Sequence, residues 1–119
     1  MISLPRSIAA LALLCASSAY AQSDEPIVDL GGAQLQSDPW YTYRDYPRIV
    51  LSYGLTGRVV VAFDITEKGR ATNCQVVEPG WHRELDRAAC RLLQRKARFV
   101  PATDDGVPIA TKGRLSIDF

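Results

Sequence analysis

Residues Gly57 to Glu78 read GRVVVAFDITEKGRATNCQVVE, and their hydrophobic rhythm decides the fold. Val59, Val61, Phe63 and Ile65 alternate with Arg58, Asp64 and Thr66, the period of two expected of a strand with one buried face. Val60 and Ala62 make the second face partly apolar too, which suits a central strand. Glu67-Lys68-Gly69 supplies a tight turn, with Gly69 free to take positive φ. Cys74 and Val76 then alternate with Asn73 and Gln75. The stretch therefore predicts a β-hairpin.

Beyond the hairpin, Pro79-Gly80 stops the second strand, and a helix is predicted from Arg83 to Ala97. Leu85, Ala88, Ala89, Leu92 and Leu93 form one apolar stripe at helical spacing. Glu84 and Asp86 in the first turn, and Arg95, Lys96 and Arg98 near the last, match the helix dipole. Arg83, Arg87, Arg91 and Arg95 recur every fourth residue as a ridge, read as the solvated back of the helix or, more sharply, as an anionic contact surface. Asp104-Asp105-Gly106 is a turn, and Ala110 to Phe119 alternates again, with Leu115, Ile117 and Phe119 on one side. Before the hairpin, Pro47 to Tyr53 is predicted as a short helix capped by Asp45, with Ile49, Val50 and Tyr53 sharing a face.

Three strands and two helices give an α+β fold. An antiparallel hairpin followed by a right-handed helical crossover yields a three-stranded antiparallel or mixed sheet of order 2-1-3, with both helices on one face. The last strand is then an edge with free backbone groups.

The amino-terminal third reads differently. Arg6, the apolar run Ile8 to Ala16 and the small-x-small triplet Ala19-Tyr20-Ala21 have the form of a signal peptide over residues 1–21, cut between Ala21 and Gln22. An uncleaved anchor is the alternative. Residues 22–43 form an acidic tail with Asp24, Glu25, Asp29 and Asp38 and no Lys or Arg, read as flexible up to Asp38. Trp40, Tyr41, Tyr43 and Tyr46 crowd its end, either as a packing clasp over Val60 and Ala62 or as an aromatic contact surface. The folded domain is expected over residues 44–119.

The whole chain has 47% hydrophobic and 23% charged residues, an ordinary globular balance, and a net charge of +1, too mild to argue nucleic-acid binding. Removing residues 1–21 leaves Cys74 and Cys90, an even pair that reads as a disulfide in an oxidising compartment; two buried free thiols are the alternative. With one histidine, His82, a metal site is not expected, nor is a cofactor. Ser116 and His82 lie on separate elements without triad logic, and no turn matches a phosphate loop, so an enzyme is not expected.

Taken in order, Tyr46-Pro47, Gly57-x-Val59-x-Val61, Gly69, Val76-Val77, Leu85-Asp86-x-Ala88-Ala89, Phe99-x-Pro101-Ala102 and Gly106-x-Pro108 resemble the C-terminal domain of the TonB family, over about Asp45 to Phe119. The pattern departs at Glu78-Pro79-Gly80, where the family has Ser-Ser-Gly. The resemblance implies a periplasmic domain of the Gram-negative envelope. It implies binding of an extended segment of an outer-membrane receptor as a strand added beside the last strand, in support of active transport. The docking backbone would be Lys112, Gly113, Arg114, Leu115, Ser116 and Ile117, with Lys112 and Arg114 offering charge. A structural envelope protein that contacts peptidoglycan, or pairs edge to edge as a homodimer, is the alternative.

Overall fold

The computed structural model describes residues 25–119. The signal-peptide reading, with its cleavage site at Ala21 and Gln22, lies outside the described residues. In chain order the elements are β1 (Val28–Asp29), β2 (Gln34–Leu35), a 3-10 turn (Tyr43–Asp45), α1 (Arg48–Tyr53), β3 (Arg58–Ile65), β4 (Ala71–Glu78), α2 (Arg83–Lys96), β5 (Phe99–Val100), β6 (Ala102–Asp104), β7 (Val107–Ile109) and β8 (Thr111–Asp118).

The main sheet has the order β1-β8-β3-β4. β3 is central, antiparallel to β4 on one side and to β8 on the other, so the predicted 2-1-3 core is present. The β3–β8 ladder is unbroken from Arg58↔Asp118 to Ile65↔Thr111. The β3–β4 ladder is not: its register shifts twice, and Asn73 takes a φ of 52°. The apolar stripe of α2 is buried as its spacing requires and packs with Val59, Val61, Phe63, Ile65, Leu115 and Ile117. Cys74 on β4 and Cys90 on α2 are joined in a disulfide, Cα to Cα 5.6 Å, which straps the helix to that strand.

Two glycines are dictated by close approach. Gly69, at φ +79°, closes the β3–β4 hairpin, and a Cβ there would collide with the Phe99 carbonyl oxygen of β5. The Phe99 N–H donates to the Gly69 carbonyl at 2.9 Å, locking turn to strand. Gly113 on β8 lies opposite Phe63, whose ring fills the space a side chain would take.

Several expectations are corrected. The segment from Pro26 to Asp38 is not a free tail: β1 pairs with β8, β2 pairs with β5, and Leu30 and Ala33 are buried in the core. β8 is consequently not an edge strand. Asp45 does not cap α1; Tyr46, held extended by the proline after it, prevents the helix from starting earlier, and Pro47 is the cap. Asp45 instead closes a capping box with Thr42, accepting the Thr42 N–H at 2.9 Å. Of Ile49, Val50 and Tyr53, α1 buries only Val50, because six residues present too narrow a face for all three. The aromatic cluster does not cover Ala62, which lines an open depression with Asp64, Asn73, Gln75 and Lys112. Trp40, Tyr41 and Tyr46 pack against the core on the β8 side, with the Tyr46 ring tilted against that of Phe119 at a centroid distance of 5.1 Å.

Candidate functional site

The outer side of β8 is the surface on which an added strand would lie. Antiparallel pairing makes successive residues of β8 direct their backbone groups to opposite sides. Phe119 exchanges both backbone bonds with Gly57, so the odd-numbered residues face β3 and the even-numbered ones face outward. Lys112, Arg114, Ser116 and Asp118 therefore carry the outward N–H and C=O groups.

At Arg114, Ser116 and Asp118 such groups are already engaged. The Ser116 N–H donates to the Ile27 carbonyl at 2.9 Å, and the Ile27 N–H donates to Ser116 Oγ at 2.9 Å. Val28 lies opposite Leu115 and Asp29 opposite Arg114, so Asp29 and Arg114 form the next hydrogen-bonded pair of the ladder. Beyond β1, the Thr111 hydroxyl donates to the Leu30 carbonyl at 3.1 Å. At the other end Tyr41 stands in for a strand. Its hydroxyl accepts the Asp118 N–H at 3.0 Å and donates to the Asp118 carbonyl at 3.1 Å, with Tyr46 donating to that carbonyl at 3.0 Å. Burial holds the Tyr41 phenol above its ordinary pKa, against the smaller opposing effect of the Asp118 backbone bond, and burial likewise raises that of Tyr46.

The six residues expected to dock a partner divide by the strand's alternation. Leu115 and Ile117 point into the core, and Gly113 makes room for Phe63. Ser116 is buried and bonded to Ile27. Lys112 and Arg114 reach the opposite face, where Lys112 Nζ lies 3.1 Å from Asp64 Oδ1 and an Arg114 guanidinium nitrogen 3.4 Å from Glu78 Oε2. Their charge is thus engaged within the domain. Asp64, bonded by the Asn73 amide and by Lys112, has its carboxyl below the usual range. Arg58 gathers the far end: its Nε lies 2.7 Å from Asp118 Oδ1, and it donates to the Glu25 carbonyl at 3.1 Å.

Ile27, Asp29, Tyr41 and Tyr46 are the residues that sequence reasoning did not assign to this edge. Ile27-Val28, a β-branched pair between Pro26 and Gly31-Gly32, was the available signal for the first two. A groove of about 390 Å³ opens beside β1, lined among others by Pro26, Val28, Leu35, Trp40, Tyr41 and Leu115. Val28 underfills it and stays 56% exposed. Among the described residues no group of His, Cys, Asp and Glu is arranged to hold a metal ion, and no helix is long and apolar enough to cross a membrane.

Known proteins resemble this chain over the same region. A Protein TonB of Xanthomonas campestris pv. campestris is 32% identical over 74 residues, covering 62% of this chain and 33% of the relative. Protein TonB of Pseudomonas aeruginosa is 40% identical over 65 residues, covering 55% of this chain and 19% of the relative. The chain thus matches a third or less of the length of these relatives. The solution NMR structure of the Pseudomonas aeruginosa TonB CTD aligns with a TM-score of 0.49 at 28% identity, covering 75% of this chain and 84% of that one. The family model described as Gram-negative bacterial TonB protein C-terminal matches residues 42–119, which is most of the chain, and the chain therefore belongs to the TonB C-terminal family.

Proposed function

We propose that this domain is a periplasmic binding module that takes an extended segment of an outer-membrane receptor, or of another envelope protein, as a strand along the outer side of β8. In that role it serves energy-coupled transport and carries out no chemistry of its own. One observation carries the reading: the outward backbone groups of Arg114 and Ser116 already hold a strand, β1, through main-chain hydrogen bonds. An edge that accepts two residues of its own chain has the geometry to accept a partner's, as in strand addition generally. Family membership supports the same reading, since the match includes all of β8.

Self-association through the opposite edge is less favoured. β4 has no outer neighbour among the described residues, but its two register shifts and the positive φ of Asn73 break the flat ladder that edge pairing needs. Calorimetric titration of the purified chain with peptides copied from the amino-terminal segments of outer-membrane receptors tests the proposal. Saturable binding that shifts the NMR resonances of Arg114 and Ser116 supports it. Failure of every peptide to bind, even to a variant whose β1 is released, refutes it.

A further inference from the structure

The docking edge is occupied, and the occupant has the marks of an exchangeable one. β1 pairs over only two residues. The next stretch of chain is anchored independently: Leu30 and Ala33 are buried, β2 pairs with β5, and the Gln36 N–H donates to the Arg98 carbonyl at 2.9 Å. Residues Pro26 to Asp29 could leave β8 while Leu30 onward stays in place, so the released strand remains tethered beside its site. Its fit is also incomplete. Val28 projects toward the groove of Leu35, Trp40, Tyr41 and Leu115 without filling it.

We propose that Pro26 to Asp29 is a resident stand-in for the partner, and that a partner segment binds by exchanging with it. The incoming segment is extended and carries, where Val28 stands, an aromatic or long aliphatic side chain that fills the groove. This rests on the reading of β8 as the docking strand and adds to it a gate and a sequence preference. A tethered competitor lowers apparent affinity by the fraction of time the edge is open. A partner with a better side chain at the Val28 position overcomes that handicap, and a poorer one does not.

The test uses the full chain in three forms: wild type; Asp29→Pro, which removes an N–H directed at β8; and Asp29→Cys with Arg114→Cys. The last pair is hydrogen-bonded in the ladder, at a Cα spacing of roughly 5.5 Å that a disulfide accepts. The probes are the synthetic peptides EPIVDLG, copied from residues 25–31, and its Val28→Phe analogue. The expected order is release variant first, wild type weaker by about 10- to 100-fold, and locked form without binding. The phenylalanine peptide should bind the release variant several-fold more tightly than the valine peptide. Equal binding by wild type and locked form overturns the exchange, and equal binding of the two peptides overturns the groove preference.

Amide exchange in the unaltered chain gives a readout that needs no variant. Arg114 and Ser116 amides should exchange about 100-fold faster than those of Leu115 and Ile117, which bond to β3, because β1 opens locally. Equal rates at all four would mean that β1 leaves only on global unfolding, which sinks the proposal. The two readings fail separately. Receptor peptides that bind no form, while the probes keep their order, remove the receptor and leave the exchange. Receptor peptides that bind all three forms alike remove the exchange and move the receptor's site elsewhere.

Discussion

Replacing Gly69 by alanine tests the joint between the hairpin turn and β5. Two costs combine there. An L-residue held at φ +79° loses about 1–2 kcal/mol to backbone strain. The new methyl also meets the Phe99 carbonyl oxygen, so the turn must move off β5, and the bond from the Phe99 N–H to the Gly69 carbonyl breaks. A buried backbone group left unpaired adds about 1–3 kcal/mol, for a total of roughly 2–5 kcal/mol. For a domain of this size each kcal/mol lowers Tm by about 4–8 °C, so the midpoint should fall by roughly 8–40 °C. Gly106→Ala is the control. Its φ is +81°, almost the same, but nothing lies within 4 Å of the added methyl, so only the strain of about 1–2 kcal/mol applies. Urea unfolding of the two variants, with m-values checked for constancy, measures the difference. A gap of less than about 1 kcal/mol between them would refute the claim that the contact with Phe99, rather than backbone strain alone, fixes glycine at position 69.

Three further outcomes are expected. Substituting both Cys74 and Cys90 by alanine opens a loop of sequence separation 16 and should cost about 3 kcal/mol in chain-entropy terms, read as a lower urea midpoint than the oxidised wild type. Tyr41→Phe removes the hydroxyl that serves both backbone groups of Asp118 and should cost about 1–2 kcal/mol near neutral pH. Because burial raises the Tyr41 pKa in the folded state, the unfolded chain ionises first. Stability is therefore whole below about pH 10 and falls as pH rises through the folded value, and Tyr41→Phe should flatten this alkaline limb of a Tm-versus-pH curve. Asp64 has the opposite sign: its lowered pKa, due first to Asn73 and then to Lys112, gives a contribution present above the ordinary carboxylate range and lost as pH falls through the folded value. Asp64→Asn should make the acid limb shallower, and an unchanged limb would discount that pair.

What was legible in the sequence was carried by periodicity. The stripe from Leu85 to Leu93 and the alternations of β3 and β8 each repeat several times, so the pattern overrides local noise, and the 2-1-3 order follows from chain chemistry. The cysteine pair was legible as two partners flanking a strand and a helix face. β1 was nearly illegible because it is two residues long and held through main-chain groups, with only the β-branched pair Ile27-Val28 as a residue signal. The same holds for Tyr41, whose anchoring bonds go to the backbone of a residue 77 positions away. Reading the tail as flexible from its acidity overlooked that Leu30 and Ala33 are enough to pin it. The strand β8 was therefore legible, and the two-residue strand that pairs with it was not.

The contact between Gly113 and Phe63 implies a trade in volume between two strands. A Cβ at position 113 would come within 2.8 Å of the Phe63 ring, so the glycine and the phenylalanine share one side chain's worth of space. Gly113→Ala alone should be badly tolerated, whereas Gly113→Ala with Phe63→Leu should recover part of the loss, a coupling of about 0.5–3 kcal/mol in a double-mutant cycle. Across relatives the two positions should covary in size, a bulkier residue on β8 accompanying a smaller one on β3. A library that diversified β8 without freeing position 63 would return glycine at 113 every time.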